Sequence, residues 1–189
     1  MLDTNQLIEI RWHGRGGQGA VTSAELMAQA AISEGRYAQA FPSFGPERRG
    51  APVMAFVRIS TKEPIRIRAE ITQPDVVVVL DPGLLGIANV TSGLKDNGIV
   101  VINTRKQAEQ IRKEFGINWS LATVDATSIA REILGVPITN TTMVGAVIKA
   151  TEVVKLESLI EPLKHRFGRL AERNIKAMQR AYEETLVKE

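Results

Sequence analysis

The chain of 189 residues contains no cysteine. That excludes disulfides, thiolate nucleophiles, zinc ribbons and every cysteine-ligated iron–sulfur cluster. Histidine is nearly as scarce, with only His13 and His165, so a histidine-rich metal site is not expected. Phe, Trp and Tyr together make up 5% of the residues, too few for a base-stacking platform. Long apolar runs are also missing. The longest, at residues 76–80, falls far short of the roughly 20 residues of a membrane span. No basic segment followed by an apolar stretch and a cleavage site is found near the N-terminus, so no secretion signal is expected and the cytoplasm is the expected location.

A strong charge of one sign is absent as well. The 24 basic and 21 acidic residues are interspersed, leaving a net charge of +3 and a pI of about 9.3, with no block of five like charges. A basic patch for a phosphorylated ligand fits this excess better than a nucleic-acid groove. What is present is the balance of a folded domain: 44% apolar and 24% charged residues, long enough to bury a core and expected to form one domain over 1–189.

Residues 7–13 alternate apolar and charged from Ile8 onward, a half-buried strand. They run into Gly14-Arg15-Gly16-Gly17-Gln18-Gly19, then into a helix over 20–34 rich in Ala, Leu and Met and stopped by Gly35. Further strands are expected at 37–41, 53–60, 65–68, 76–80, 99–103 and 120–125. The pair 53–60 and 65–68 reads as an antiparallel element joined by the turn 61–64. Residues 76–80 form a continuous β-branched run typical of a strand buried on both faces. Helices are expected to begin at Asp81-Pro82 and to cover 105–115, 127–134, 142–151, 158–167 and 170–187. Strands alternating with helices predict an α/β fold: a three-layer α/β/α sandwich on a mixed, mostly parallel sheet.

The loop matches G-x-G-x-x-G between a strand and a helix, the context that motif requires. Glycine permits a tight turn and close ligand approach, while the free N–H groups of the helix offer positive potential to an anion. The plainer reading is that the glycines only let strand and helix pack closely. A dinucleotide enzyme would add an acidic residue about 20 positions on, at the end of the second strand. Tyr37-Ala38-Gln39-Ala40-Phe41 holds none. The lysine and Ser/Thr of a P-loop are missing too.

A second loop, Phe44-Gly45-Pro46-Glu47-Arg48-Arg49-Gly50-Ala51-Pro52, sets two arginines and a glutamate between glycines and prolines. Guanidinium groups take phosphate or carboxylate in paired geometry, and an adjacent carboxylate can hold one of them in place. The alternative is a solvated loop with an internal ion pair.

Taken together, Gly14-Arg15-Gly16-Gly17-Gln18-Gly19-Ala20 and Gly45-Pro46-Glu47-Arg48-Arg49-Gly50 resemble the gamma subunits of pyruvate and related 2-oxoacid:ferredoxin oxidoreductases. Residues 75–81 (Asp-Val-Val-Val-Val-Leu-Asp), Asn140-Thr141, Gly145-Ala146 and Asn174 add to the resemblance, which runs nearly the whole chain in order. It implies an oxidoreductase acting on the oxo group of a 2-oxoacid, built from several polypeptides. The 2-oxoacid is decarboxylated on thiamine diphosphate with Mg, electrons leave through 4Fe-4S clusters to ferredoxin, and the acyl group passes to coenzyme A. Those cofactors are implied on alpha, beta and delta partner subunits, with this chain silent alone. The gamma unit is the part associated with coenzyme A, which makes Gly14, Arg15, Gly16, Gly17, Gln18, Gly19, Glu47, Arg48 and Arg49 the candidate binding region. Pyruvate is the expected substrate, with branched-chain 2-oxoisovalerate as the alternative; one gamma subunit could serve both. A purely structural subunit and a free-standing dinucleotide oxidoreductase are the competing readings.

Among the remaining residues, Asp81 reads first as a helix cap and second as an active-site carboxylate. His13 reads as a buried, hydrogen-bonded structural histidine. Asn140-Thr141-Thr142 read first as an N-cap for the following helix and second as lining of the same cleft. Arg169, Arg173, Lys176 and Arg180 form a cationic face, solvated or contacting a neighbouring subunit.

Overall fold

A computed structural model describes residues 7–43 and 50–189. Its core is a seven-stranded sheet in the order β2-β3-β1-β4-β5-β6-β7. The strands are β1 (Ile8–Arg15), β2 (Tyr37–Pro42), β3 (Pro52–Ser60), β4 (Val76–Val79), β5 (Ile99–Asn103), β6 (Ser120–Val124) and β7 (Leu186–Lys188). β1, β4, β5 and β6 run parallel, whereas β3 is antiparallel to both β1 and β2, and β7 is antiparallel to β6. The helices are α1 (Ala20–Ser33), α2 (Ala108–Phe115), α3 (Ala126–Leu134), α4 (Asn140–Thr151), α5 (Ile160–Phe167) and α6 (Ala171–Glu184).

Alternation along the strands divides the core into layers. Ile10, Trp12, Val76, Val78, Ile99 and Val101 pack against α1, α4 and α6. Val77, Val79, Val100 and Ile102 face the other way, toward Leu84 and α2. The expected sandwich on a mixed sheet is what the chain adopts.

Three elements differ from expectation. Residues 65–68 are not a strand. β3 already pairs with β1 on one side and β2 on the other, so no edge is left for a hairpin partner. The guanidinium of Arg58 instead donates to the carbonyls of Ile67 and Ala69 at 3.2 and 2.8 Å. Pro82–Gly86 makes only a short 3-10 turn rather than a longer helix. The last helix ends at Glu184, and residues 186–188 cover the edge of β6.

The other face of β1 carries a buried cation. Arg11 donates to the carbonyls of Ile71, Val90 and Ser92 and, through Nε, to Nε2 of His13 at 3.0 Å. It thereby ties β1 to two crossing loops. Burial, reinforced by the Arg11 charge, depresses the pKa of His13 to about 3, and only the neutral ring can accept that bond. The unfolded imidazole titrates near 6.5, so between those values the unfolded chain binds the extra proton. The stability contributed by neutral His13 is complete above about pH 6.5 and drains away as the pH falls toward 3. Between pH 7 and 5 we expect a loss of about 2 kcal/mol from this residue. A urea titration should show His13→Gln, which keeps an acceptor but does not titrate, losing less over that interval than the parent chain. Equal losses in the two proteins would remove His13 as the cause.

Candidate functional site

Strand order reverses between β1 and β4, which are neighbours in the sheet. The chain leaves β1 for α1 on one face and leaves β4 through the turn that buries Leu84 in the opposite face. In such sheets the connections diverge and open a crevice at the carboxyl ends of the strands, where ligands sit. The glycine loop and Asp81 occupy this position.

The six loop residues play different parts. Gly14 lies inside β1 and is buried; an added Cβ would come within 3.1 Å of Leu80 Cδ1. Gly16 continues the β3 pairing beyond the strand, its N–H donating to Ala51 O at 2.9 Å and its carbonyl accepting from Gly50 N at 3.3 Å. Gly17 turns the chain with φ of 95° and faces open space. Gln18 closes the turn by accepting from the Arg15 amide at 2.7 Å. Gly19 starts α1 in a left-handed conformation with no side-chain cap, and a Cβ there would overlap Asn140, 2.8 Å from its Nδ2. Two of these glycines therefore serve close packing, against Leu80 and Asn140 rather than between β1 and α1, while the uncapped start of α1 keeps its positive end free of any acidic neighbour in the first turn.

Arg15 is the hub. Its Nε donates to Asp81 Oδ2 at 2.7 Å and its Nη1 to Gly50 O at 3.2 Å. Asp81 in turn accepts from Gly83 N at 2.8 Å and from Gln18 Nε2 at 3.4 Å. Asp81 is thus the cap that was expected and also the ion-pair partner of Arg15. The sequence reading missed the pairing, because 66 residues separate the two; an acidic residue ending a strand at the crevice was the available signal. Glu47, Arg48 and Arg49 lie outside the described residues. Gly50, the residue after Arg49, is held to the glycine loop through both its N–H and its carbonyl, so the two loops read separately in the sequence meet here.

A second wall is formed by α4 and α6. Thr141 Oγ1 donates to Asn174 Oδ1 at 2.9 Å and Asn174 Nδ2 to Leu170 O at 2.9 Å. Asn140 accepts the Thr141 amide at 2.8 Å and, through its carbonyl, the Ser23 hydroxyl at 3.1 Å. The asparagine is therefore internal to the turn, and Thr139 takes the cap position without a side-chain bond. His13 is buried and hydrogen-bonded as expected. Of the cationic face on α6, Arg180 is paired with Glu132 and Glu184. Among the described residues no cluster of three or more His, Asp or Glu side chains could hold a metal ion, and no helix is long and apolar enough to cross a membrane.

Residues 9–184 match the pyruvate ferredoxin/flavodoxin oxidoreductase family. The chain is 59% identical over 185 residues to the common gamma subunit of the pyruvate/ketoisovalerate oxidoreductases of Thermococcus kodakarensis, covering 97% of this chain and 100% of the relative. The crystal structure of the pyruvate oxidoreductase subunit PORC from Thermotoga maritima superposes with a TM-score of 0.87 at 40% identity, covering 97% and 99% of the two chains. The fold also recurs in the 2-oxoglutarate:ferredoxin oxidoreductase of Magnetococcus marinus, solved with 2-oxoglutarate, coenzyme A and succinyl-CoA bound. That likeness has a TM-score of 0.72 at 20% identity, over 94% of this chain and 30% of that one.

Proposed function

The chain belongs to the pyruvate ferredoxin/flavodoxin oxidoreductase family, as the gamma subunit of a pyruvate/ketoisovalerate oxidoreductase complex, and from that premise we propose that its task is to hold coenzyme A for acyl transfer. The complex takes 2-oxoacid and coenzyme A to acyl-CoA and CO2, with electrons passed to ferredoxin. Thiamine diphosphate, Mg and the 4Fe-4S clusters belong to alpha, beta and delta partners; with no cysteine of its own, this chain contributes no thiolate to a cluster. Service to both a pyruvate and a branched-chain enzyme agrees with the shared role of the Thermococcus relative.

The observation that carries the coenzyme reading is the junction at the crevice. Arg15, fixed by Asp81, reaches Gly50, which also bonds Gly16, so the residue that follows Arg48 and Arg49 in the chain is tied to the glycine loop just before its open turn at Gly17. The free backbone N–H groups at the start of α1, with the Arg15 guanidinium beside them, suit the phosphates of a nucleotide-bearing thiol. Pyruvate would not require so extended an array.

The test uses the chain alone and in its complex. The purified chain should oxidise no 2-oxoacid, and adding the partner subunits should restore coenzyme A-dependent turnover. Within the complex, Arg15→Ala loses a partly buried ion pair worth about 1 kcal/mol and frees the end of the second loop. The KM for coenzyme A should rise about fivefold and that for the 2-oxoacid should stay put. Turnover by the chain alone, or equal rises in both constants, contradicts the assignment.

A further inference from the structure

Beside the glycine loop lies a cavity of about 320 Å³, between the start of α1, the α3–α4 connection and the start of α6. Its walls are Leu134, Val136, Ile138, Phe167 and Leu170. Three of these are large apolar side chains left open to solvent: Val136 at 44%, Ile138 at 42% and Leu170 at 54% exposure. The polar lining is Thr22, Asn140, Asn174 and Arg173; Thr22 is taken by Arg166 and Asn174 by Thr141 and Leu170, while Asn140 lies across Gly19.

Asn140 is only 6% exposed, and its orientation is fixed. The Thr141 amide needs an acceptor and takes Oδ1 at 2.8 Å, so the nitrogen is the end left over. No described residue accepts a hydrogen bond from that Nδ2. Asn140 lines the cavity, so a ligand carbonyl oxygen there would take the hydrogen bond that no described residue takes. At the mouth stands Arg173, which is exposed and has no ion-pair or hydrogen-bond partner among the described residues. Gly19 is glycine because any Cβ would push this carboxamide away.

We propose that this cavity seats the amide-bearing arm of coenzyme A, with Asn140 Nδ2 donating to an arm carbonyl and the phosphates remaining outside at the glycine loop. The proposal rests on the coenzyme reading and deepens it by dividing the molecule between two subsites. Size argues for the arm, since the volume stands at the lower end of ligand pockets, on the order of 300 Å³. A slender chain fits where a base, ribose and three phosphates together would not. Chemistry argues the same way. Apolar walls with one amide donor left unpaired among the described residues suit methylene groups interrupted by amides. Phosphates would instead require several cations, which the walls lack. Arg173 stands where the arm passes to its charged end.

Ile138→Trp fills the cavity from an exposed position and leaves the core alone; Asn140→Asp keeps the bond to Thr141 but replaces the donor with an oxygen. Each variant is tested in the intact complex, with assembly checked by gel filtration. The KM of coenzyme A and the inhibition constant of pantetheine, which is the arm without the nucleotide, are measured against the KM of the 2-oxoacid. Both variants should weaken coenzyme A and pantetheine alike, by about tenfold, with the 2-oxoacid constant unmoved. Unchanged pantetheine binding in the two variants overturns the arm subsite, as does indifference of the parent complex to pantetheine. Loss of subunits from the Ile138→Trp complex also overturns it, since the cavity would then be a partner contact. Arg48→Ala with Arg49→Ala separates this from the broader reading. If that pair weakens coenzyme A while the cavity variants do nothing, the coenzyme reading stands and the arm lies elsewhere. If none of them moves coenzyme A, both readings fail.

Discussion

Gly145→Val should cost the chain at least about 3 kcal/mol of stability, near the upper end of what overpacking does. α4 and α6 touch backbone to backbone at this position. A Cβ on Gly145 would lie 2.1 Å from the Met178 carbonyl oxygen and 3.2 Å from the Tyr182 nitrogen. Those atoms belong to a helix and cannot swing aside as a side-chain tip could. The helices must part, which opens the apolar seam between Val144, Val147, Ala177 and Ala181 and stretches the bond from Thr141 to Asn174. Domains of this size hold about 5–15 kcal/mol in total, so the loss takes a large share. Thermal melting should show a drop of many degrees for Val and a smaller one for Ala. An unchanged midpoint for Val would falsify the close approach.

The same seam shows how far the fold could be read from residues alone. Alternation in β1 and the continuous valines of β4 located both strands, because each pattern reports burial directly. Gly145-Ala146, Asn140-Thr141 and Asn174 were recognisable as features, but their role as one helix–helix contact depends on positions 33 apart meeting in space. The misread segments share a cause. Residues 65–68 alternate as a strand should, yet pairing requires a free neighbour, and β2 and β1 had taken both edges of β3. Residues 186–188 continue a helical pattern in composition. Thr185 nevertheless turns extended, and its hydroxyl bonds Ala181 O as the helix ends, because the open edge of β6 offers backbone partners that more helix would not.

The candidate site was legible in pieces. Each loop announced itself through glycine, proline and arginine, since those residue types constrain the backbone locally. Their junction did not, because it runs through Gly50, whose backbone groups carry no signal in the sequence. In the sequence Asn140 reads as an N-cap; only the overlap with Gly19 reveals that the two positions constrain each other.

Replacing both Arg48 and Arg49 with Ala should raise the KM of coenzyme A tenfold or more while that of the 2-oxoacid changes little. A charge-assisted phosphate contact contributes about 1.5–3 kcal/mol, and about 1.4 kcal/mol is already a factor of ten. The loop is anchored next to these residues by Gly50, whose N–H and carbonyl are held by Gly16 and Arg15. The substitution thus removes charge without removing the anchor. In the proposed reaction decarboxylation precedes acyl transfer, so the half-reaction run without coenzyme A should be largely spared. Lysine at both positions should recover only part of the loss, because an ammonium cannot reproduce the planar fork of a guanidinium. A purely structural loop predicts otherwise: subunits would dissociate, and both substrates would suffer together through loss of intact enzyme. Gel filtration beside the two KM values separates these outcomes. An intact complex with an unchanged KM for coenzyme A removes this loop from the coenzyme site.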